Sequence, residues 1–414
     1  MINSKKIVIK RPSNTNLEGT IALPASKSIS NRALIINALA KAPSNSNLYN
    51  LSSARDTELM YNLIGSSDEV IDVREAGTTM RFLLAYFSVR GEKKILTGTE
   101  RMKQRPIKIL VDALRDLGVE ITYLENEGFP PVKIEGFTGQ KKSSIEMLGN
   151  VSSQYISAMM MIAPVLPNGL TIHLRGKVGS IPYIKMTQGM MEDFGAQVHW
   201  DQNTITIPSG SFQPIEYAIE PDWSAASYWY SIISLAQKGK ILLEGLTKKS
   251  IQGDSVIAEI MKNAGVSTTF NSSGALLEFS DKKEEITYDF IDCPDIAQTV
   301  AVVAGARNIG CTMYGLQSLK IKETDRIKAL QNELAKFNIE LTEQENVWKV
   351  RSDGANLSGD SIVIKTYEDH RMAMAFAPLS IFRPLIIEDP KVVAKSYPHY
   401  WDDLAKAGFE ISDC

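Results

Sequence analysis

Amphipathic segments that end in glycine or asparagine and run directly into a β-prone segment recur along this chain. In each, apolar residues first repeat at helical spacing and then alternate with polar residues, as in a half-buried strand. Glycine or asparagine at the junction favours the left-handed conformation that ends a helix, so each junction predicts a helix followed by a strand. The junctions are Gly65, Gly118, Gly195, Gly265, Asn338 and Gly408.

The spacing of these junctions predicts an internally repeated α/β fold. Successive junctions lie 53, 77, 70, 73 and 70 residues apart. One such helix ending occurs in any α/β protein, but six at near-regular spacing favour six related units. The units divide into two domains of three, with a crossover expected in the polar, proline-bounded loop 207–214. A cleft between two domains favours small ligands.

Composition and charge exclude several classes of protein. The 414 residues are 44% hydrophobic and 22% charged, which is ordinary for a globular chain and excludes a disordered or fibrous one. A net charge of -3 provides no global basic field for nucleic acid or anionic lipid, so any bound anion must be held by a local cluster of cations.

Targeting signals and cysteine usage indicate in which cellular compartment the protein is expected. The N-terminus lacks the apolar core of a signal peptide, and no apolar run approaches the roughly 20 residues of a membrane helix. Cys293, Cys311 and Cys414 are too few and too scattered for a disulfide framework or a zinc site. Such usage suits a reducing cytosol, and a cytoplasmic location is therefore expected.

Cations at predicted helix starts are the first chemical signal. A strand ends at Pro24 and an apolar helix follows, with Ser28 or Ser30 as its expected cap and with Lys27 and Arg32 at or just inside its start. The helix dipole already makes that end positive, so cations there indicate an anion to be bound. The alternative is an ordinary cap with solvated basic side chains.

Other predicted helices open in the same way. Gly77 permits close approach of the backbone to a ligand, and Arg81 follows it within the first turn of a helix. Pro106 suits a first helical position, which leaves Arg105 on the preceding loop. Asp295 stands at a helix start without a cation nearby in sequence, where it is either a cap or a catalytic carboxylate.

These helix starts predict one anion-binding surface. If the helices lie parallel within each domain, their N-termini converge, and a net-acidic chain then holds a strongly positive pocket for phosphates and carboxylates. The charged run 319–326 has a simpler interpretation as a solvated face. The residues expected to line the surface are Lys27, Arg32, Arg81, Arg105, Arg326, Arg371 and Lys395.

An ordered set of motifs resembles a known family of enzymes, the 3-phosphoshikimate 1-carboxyvinyltransferases (EPSP synthases). The resemblance runs from about residue 8 to residue 409, in the order and spacing of that family. The motifs are Ser26–Arg32 (SKSISNR), Ala76–Arg81 (AGTTMR), Arg101–Pro106 (RMKQRP), Ser152–Gln154 (SSQ), Lys322–Arg326 (KETDR) and Asp369–Met374 (DHRMAM).

The resemblance implies a fold and a set of partners. The fold is a two-domain inside-out α/β barrel of the enolpyruvyl transferase type, with six βαβαββ-like repeats, three per domain. One domain comprises residues 1–20 and 221–414, the other comprises residues 21–220, and the active site lies in the cleft between them. The resemblance further implies a monomer that binds small-molecule substrates, needs no metal or organic cofactor, and has no nucleic-acid or membrane partner.

The implied reaction transfers the enolpyruvyl group of phosphoenolpyruvate to the 5-hydroxyl of shikimate 3-phosphate, by addition and then elimination of phosphate, in the shikimate pathway to the aromatic amino acids. The implied catalytic residues are Asp295 and Glu323, which transfer protons, with Lys27 assisting. The implied shikimate 3-phosphate site is Lys27, Ser28, Arg32, Ser152, Ser153, Gln154, Ser180, Tyr183, Asp295 and Lys322. The implied phosphoenolpyruvate site is Lys27, Gly77, Arg105, Gln154, Arg326, Arg371 and Lys395.

Two alternatives share the fold. The sister transferase that acts on UDP-N-acetylglucosamine carries Lys-Asn where this chain has Lys27 and Ser28, and it uses a cysteine in a mobile loop, whereas the first cysteine here is Cys293. A non-catalytic anion-binding scaffold would lack the acid and base groups, but Asp295 and Glu323 are both present.

Overall fold

The computed structural model describes residues 5–11, 17–42, 44–150 and 152–414. Residues 1–4 and 12–16, which belong to the domain segment expected at residues 1–20, lie outside the described residues, as do Pro43 and Val151. The chain divides into two compact units. The first unit comprises Met1–Ala25, Ser53–Arg55 and Glu220–Cys414, and the second comprises Ser26–Ser52 and Asp56–Ile219.

Short strands and helices alternate along the described residues. The strands are β1 Lys6–Lys10, β2 Glu18–Ile21, β3 Leu48–Tyr49, β4 Val70–Asp72, β5 Lys94–Thr97, β6 Val119–Tyr123, β7 Val132–Phe137, β8 Ser144–Leu148, β9 Leu170–Arg175, β10 His199–Asp201, β11 Thr204–Ile207, β12 Tyr217–Ala218, β13 Lys240–Glu244, β14 Val266–Asn271, β15 Gly274–Phe279, β16 Ile286–Asp289, β17 Cys311–Tyr314, β18 Glu340–Gln344, β19 Val347–Arg351, β20 Ile362–Ile364, β21 Leu385–Glu388 and β22 Glu410–Asp413. The α-helices are α1 Lys27–Leu39, α2 Arg55–Leu63, α3 Gly77–Val89, α4 Glu100–Lys103, α5 Lys108–Leu117, α6 Ser153–Ile162, α7 Ile181–Asp193, α8 Trp223–Ala236, α9 Ile257–Ile260, α10 Ala297–Ala306, α11 Arg326–Ala335, α12 His370–Phe376 and α13 Tyr400–Lys406. The 3-10 helices are Ala163–Val165, Gly253–Val256, Met261–Ala264, Phe290–Asp292, Pro294–Ile296, Gln317–Ile321, Ala377–Ile381 and Pro390–Lys395.

Five four-stranded sheets in the described part of the chain share one arrangement. In each, two strands pair in parallel, and the second of them pairs antiparallel with a third strand, which itself pairs antiparallel with the fourth. The sheets of the first unit are β2-β13-β15-β14, β16-β17-β19-β18 and β20-β21-β1-β22. The sheets of the second unit are β4-β5-β7-β6 and β8-β9-β11-β10. A parallel pair needs a crossover connection, which explains the helix that precedes its second strand.

The sixth sheet among the described residues differs, because it consists of the parallel pair β12 and β3 alone. Five predicted junctions have the left-handed conformation, with φ between 56° and 106°, whereas Gly65 does not. After α2 the chain does not form a hairpin but enters β4, which pairs with β5 in the next sheet. The missing hairpin accounts for the short spacing of 53 residues between Gly65 and Gly118.

Helices that are apolar on nearly every side form the core of each unit. In the first unit α8, α10 and α12 contact one another, and in the second unit α1, α3 and α6 do so. A helix without a polar face must be buried on all sides, and each fully buried large apolar side chain contributes roughly 1.5–3 kcal/mol. Each of these helices precedes one strand of a parallel pair. The N-cap positions and first turns of these helices carry seven of the predicted site residues, namely Lys27, Ser28, Gly77, Ser152, Ser153, Gln154 and Arg371.

No helix in the described ranges combines the length and the apolar character that crossing a membrane requires. Cys293 and Cys311 are buried free thiols, and Cys414 is an exposed one.

Candidate active site

The predicted site residues form two groups, one in each unit. The second unit holds Lys27, Ser28, Arg32, Gly77, Arg105, Ser152, Ser153, Gln154, Ser180 and Tyr183. The first unit holds Asp295, Lys322, Glu323, Arg326, Arg371 and Lys395.

The start of α1 is organised differently from the expectation. Lys27 is the first residue of α1 and Ser26 occupies the N-cap position, without a side-chain cap hydrogen bond. The prediction that Ser28 or Ser30 caps this helix is therefore wrong. The Ser30 hydroxyl instead accepts the backbone N–H of Ser52 at 3.0 Å, because it is buried one turn inside the helix.

Arg32 is buried among uncharged partners. The side chain is only 2% exposed, and burial lowers its pKa to about 10, so it remains positively charged at neutral pH. It donates to Thr187 Oγ1 at 2.7 Å, Ser28 O at 2.9 Å, Ser157 Oγ at 3.1 Å and Tyr183 O at 3.5 Å. A buried cation that is held by neutral acceptors is well prepared to bind an anion, which would offset the cost of burial.

Lys27 is paired with a carboxylate that sequence reasoning missed. Its ammonium lies 3.1 Å from Asp56 Oδ2, and both side chains are largely buried. Asp56 is in the first turn of α2, where acidic residues are common at helix starts, so its sequence carried no distinct signal. The pair holds the Lys27 ammonium in one position.

Arg105 lies on the loop between α4 and α5, as predicted, and it covers Gly77. Its Nη1 donates to Glu75 O at 3.2 Å. A Cβ atom on Gly77 would lie 2.6 Å from Arg105 Nη2, so only glycine permits this approach. The expectation that Pro106 opens the next helix is wrong, since α5 begins at Lys108.

Arg81 ties three parts of the second-unit group together. Its Nη1 donates to Gly77 O at 2.9 Å and to Gln154 Oε1 at 3.1 Å, and its Nη2 donates to Pro106 O at 3.4 Å. Gln154 Nε2 in turn donates to Thr78 Oγ1 at 2.9 Å. The sequence analysis identified Arg81 only as one of the cations expected to line the anion-binding surface. Its contacts show that it also holds Gly77, Gln154 and Pro106 together.

The starts of α6 and α7 supply the hydroxyl groups. Ser152 caps α6 by accepting the N–H of Gln154, and Ser153 is the buried first residue of that helix. Ser180 precedes α7 with a left-handed φ of 54°, which is uncommon for a non-glycine residue. Tyr183 lies in the first turn of α7, and its carbonyl accepts the Arg32 contact described above.

In the first unit, Arg326 is surrounded by three carboxylates. It donates to Asp369 Oδ2 at 2.6 Å, Glu323 Oε2 at 2.8 Å and Asp295 Oδ1 at 3.1 Å, and its side chain is 2% exposed. Burial alone would lower the pKa of Arg326, but these three carboxylates raise it above its ordinary value. The interpretation of this charged run as a solvated face is therefore wrong for Arg326.

Asp295 is held between two guanidinium groups. Arg371 Nη2 lies 2.7 Å from Asp295 Oδ2, and Arg371 Nη1 donates to Asp295 O at 3.2 Å. Burial raises the pKa of Asp295, whereas the positive charges of Arg371, Lys322 and Arg326 lower it. The charges have the larger combined effect, so the pKa of Asp295 lies below its ordinary value. Asp295 is thus ionised at neutral pH, which is the form that can accept a proton.

Asp369 is a second functional carboxylate that received no role from the sequence. It is fully buried, binds Arg326, and caps α12 by accepting the N–H of Arg371 at 2.9 Å. Its position beside Arg371 in the DHRMAM motif was the available signal. One carboxylate therefore binds the Arg326 guanidinium and holds the backbone at Arg371.

Lys395 and Glu323 complete this group. Lys395 Nζ lies 3.7 Å from Glu323 Oε1, and both side chains are mostly buried. Lys395 stands at the C-terminal end of the 3-10 helix Pro390–Lys395, so the expectation that it sits at a helix N-terminus is wrong. Glu323 bridges Arg326 and Lys395, and Lys322 acts on Asp295 through its charge.

Comparisons with known proteins agree on one family. The family model described as EPSP synthase (3-phosphoshikimate 1-carboxyvinyltransferase) matches residues 12–66 and 63–404. A 3-phosphoshikimate 1-carboxyvinyltransferase from Bacteroides fragilis is 50% identical over 407 residues, which cover 96% of this chain and 97% of that protein. One from Haemophilus influenzae is 36% identical over 423 residues, which cover 94% of this chain and 96% of that protein.

Solved structures show the same fold. An EPSP synthase structure from Acinetobacter baumannii has a TM-score of 0.79 at 19% identity and covers 99% of this chain and 100% of that one. The enolpyruvyl transferase NikO from Streptomyces tendae has a TM-score of 0.71 at 13% identity, with 99% of both chains covered. The matched length and the identity to curated relatives show that the chain belongs to the 3-phosphoshikimate 1-carboxyvinyltransferase (EPSP synthase) family.

Proposed function

We propose that this protein transfers the enolpyruvyl group of phosphoenolpyruvate to the 5-hydroxyl of shikimate 3-phosphate, which yields 5-enolpyruvylshikimate 3-phosphate and phosphate. The observation that carries the proposal is the first-unit cluster, in which Arg326 and Arg371 both bind Asp295 while Glu323 bridges Arg326 and Lys395. This cluster surrounds the two proposed proton-transfer carboxylates with cations that suit an anionic substrate.

The cations of both units balance the charge of the substrates. Two phosphates and two carboxylates repel one another unless several positive groups surround them. We assign shikimate 3-phosphate to Lys27, Arg32, Lys322, Asp295 and the side chains that adjoin them: Ser28, Ser152, Ser153, Gln154, Ser180 and Tyr183. We assign phosphoenolpyruvate to Lys27, Gly77, Arg105, Gln154, Arg326, Arg371 and Lys395. The uncharged partners of Arg32 support its assignment, because its charge is left for a ligand.

The acid–base chemistry follows from the reaction. In the addition, the 5-hydroxyl loses a proton as its oxygen bonds to C2, and C3 gains a proton. In the elimination, C3 loses a proton as the bond from C2 to the phosphate oxygen breaks, so that the double bond forms again and phosphate leaves. A hydroxyl is a weak nucleophile, so a positioned base is required. Asp295 is ionised and hence suited to accept a proton, and Glu323 is the second group of the pair, with the Lys27 ammonium assisting.

The two groups of residues are proposed to act on the same pair of substrates, in the cleft that the family resemblance implies between residues 1–20 with 221–414 and residues 21–220. Their complementary chemistry supports this, because the proposed proton-transfer carboxylates lie in the first unit and most proposed shikimate 3-phosphate contacts in the second. A monomer in the cytoplasm, without nucleic-acid or membrane partners, is proposed on the same resemblance, and the three free thiols agree with a reducing compartment.

Phosphate release from phosphoenolpyruvate tests the function directly. We expect release only when shikimate 3-phosphate is also present, and a loss of at least about a hundredfold in kcat for Asp295→Asn, in line with removal of a general base. Release with UDP-N-acetylglucosamine instead would assign the sister reaction. No release with any acceptor would favour a binding scaffold.

A further inference from the structure

Asp254 is a buried carboxyl group that has no part in the chemistry described so far. It belongs to the 3-10 helix Gly253–Val256 and is 3% exposed. The Ser224 hydroxyl donates a hydrogen bond to its Oδ2. Among the described residues no donor reaches its Oδ1. A buried carboxylate with one hydrogen bond is costly, so this environment favours the protonated, neutral form.

The segment that carries Asp254 is fastened to the start of α8. Gln252 Oε1 accepts the N–H of Trp223 at 3.1 Å, while Gln252 Nε2 donates to Glu220 Oε2 at 3.0 Å and to Pro221 O at 2.8 Å. These hydrogen bonds hold the backbone beside Asp254 against the helix.

The same helix connects Asp254 to the active-site cluster. One turn beyond Ser224, Tyr228 OH accepts from Arg371 Nη1 at 3.5 Å, and Arg371 binds the Asp295 carboxylate. The Ser224 hydroxyl contacts Asp254 directly, and the charges of Asp222 beside α8, Asp295 before α10 and Arg371 on α12 act on it through space. Asp254 in turn acts on the Cys293 thiol. Asp254 thus stands in the field of both members of the Arg371–Asp295 pair.

These charges set the proton affinity of Asp254. Burial is the largest influence and raises the pKa of Asp254 to about 7, and the negative charge of Asp295 raises it as well. Arg371 and the Ser224 hydroxyl act in the opposite direction. Asp254 therefore gains or loses its proton near neutral pH.

We propose that Asp254 is a positioning residue for the transfer reaction, because its protonation decides how many negative charges Arg371 must balance. The inference rests on the proposed function. While Asp254 is neutral, Arg371 balances the charge of Asp295 without a further negative charge from Asp254, which favours phosphoenolpyruvate binding. When Asp254 ionises, a second negative charge faces Arg371 and Asp295, weakens phosphoenolpyruvate binding, and makes Asp295 harder to keep ionised.

The kinetic test compares the parent with Asp254→Asn, which keeps the neutral form at every pH. Between about pH 6 and about pH 8.5, we expect the ratio of kcat/KM for phosphoenolpyruvate, variant over parent, to rise about threefold to tenfold, since one pKa unit of interaction is a factor of ten. Most of the change should lie in the KM for phosphoenolpyruvate. A ratio that stays constant with pH would overturn the proposal, because a purely structural role would lower activity equally at each pH.

A titration of the resting protein provides a readout that needs no substrate. Infrared spectra of the full-length protein should show one buried carboxyl that titrates near pH 7 in the parent and is missing in Asp254→Asn. Ser224→Ala should move this titration to higher pH, because it removes the hydrogen bond that favours the carboxylate. The matched control Ser227→Ala, whose hydroxyl binds Ser224 O and Thr299 instead, should leave it in place.

The outcomes separate the two claims. Absence of the titration, or the same titration in Asp254→Asn, would overturn the role of Asp254 while phosphate release still supports the transfer reaction. A titration in a protein that releases no phosphate with any acceptor would overturn the transfer reaction, and the role given to Asp254 in it as well.

Discussion

Among single residues, Arg32 and Arg326 both carry buried positive charges, but the chemistry of their hydrogen-bond partners differs. Arg326 is neutralised by the carboxylates of Asp369, Glu323 and Asp295. The hydrogen-bond partners of Arg32 within the described residues are uncharged, which supports its proposed role in binding an anion. The motifs identified both arginines, but their charge balance could not be predicted from them, since Asp295, Asp369, Ser157 and Thr187 come from distant parts of the chain.

Gly77→Ala tests the close approach of Arg105. The new Cβ would lie 2.6 Å from Arg105 Nη2, so the guanidinium must move away. We expect the KM for phosphoenolpyruvate to rise about tenfold, equivalent to about 1.4 kcal/mol, with little change in the KM for shikimate 3-phosphate. Steady-state kinetics with each substrate varied in turn measures this.

Gly189→Ala is the matched control, because Gly189 lies within α7 and nothing would meet its Cβ within 4 Å. Alanine there should leave both KM values unchanged and stabilise the helix slightly. Equal KM values in the parent and Gly77→Ala would contradict the steric interpretation.

Asp295→Asn tests the electrostatics of the first-unit cluster through stability. The cations hold the pKa of Asp295 below its ordinary value, so the ionised carboxylate stabilises the fold at neutral pH. Removing it leaves Arg371 without this charge partner, and we expect the free energy of unfolding at pH 7 to fall by about 3 kcal/mol. Below about pH 4, the ordinary value for aspartate, the difference from the parent should shrink, because the unfolded parent then binds a proton that the native carboxylate does not.

Urea unfolding at several pH values measures this difference. Asp402 is exposed, and its Oδ2 lies 3.4 Å from Nδ1 of the exposed His399 side chain. It provides the control variant Asp402→Asn, which should show almost no effect, because an ion pair between exposed groups contributes little. A difference between parent and Asp295→Asn that stays constant from pH 7 to pH 3 would show that the Asp295 charge does not stabilise the native state.

Among the secondary-structure elements, the approximate position of a helix start could be predicted from the sequence, but the residue that caps it could not. The apolar helix expected after Pro24 is α1, and the helix expected to hold Arg81 after Gly77 is α3. The cap of α1 and the role of Pro106 were predicted wrongly. The left-handed residues before α12, Tyr367 and Glu368, had no signal, because non-glycine residues take this conformation only when the surrounding structure imposes it.

Asp325→Ala tests the cap that positions Arg326. Asp325 Oδ1 accepts the N–H of Lys328 at 3.0 Å and thereby starts α11 at Arg326. Loss of this cap should lower the free energy of unfolding by about 1 kcal/mol. The asparagine side chain in the variant Asp325→Asn can still cap the helix, so this variant should keep most of the stability of the parent. Denaturant titrations of both variants measure the difference, and equal losses in the two would mean that the carboxylate charge matters and the cap does not.

At the scale of the whole molecule, the junction pattern correctly indicated repeated α/β units but not the form of the sixth. The sheet of β12 and β3 lacks a hairpin among the described residues, and its strands are far apart in sequence. The first unit is likewise completed by β1, which pairs between β21 and β22 near the end of the chain. Such long-range pairing leaves no local pattern.

A double-mutant cycle tests whether residues of both units act on one substrate. Arg105→Lys and Arg371→Lys each remove bidentate anion binding and should lower kcat/KM for phosphoenolpyruvate about a hundredfold. If both bind the same molecule, the double variant should lose clearly less than the product of the two single losses. The pair Arg105→Lys with the exposed Arg351→Lys should be multiplicative. Independent effects of Arg105 and Arg371 would contradict a shared substrate.

The sequence alone was enough to predict the class of fold, five helix ends and the family, because hydrophobic periodicity, left-handed junctions and motif composition are local properties of the chain. The tertiary structure alone decided which charges meet. The pairing of Lys27 with Asp56, the contacts of Arg326 with Asp295 and Asp369, and the burial of Asp254 depend on packing between distant segments. Burial and electrostatic interaction act through space, and so the state of each ionisable group is set only when the chain has folded.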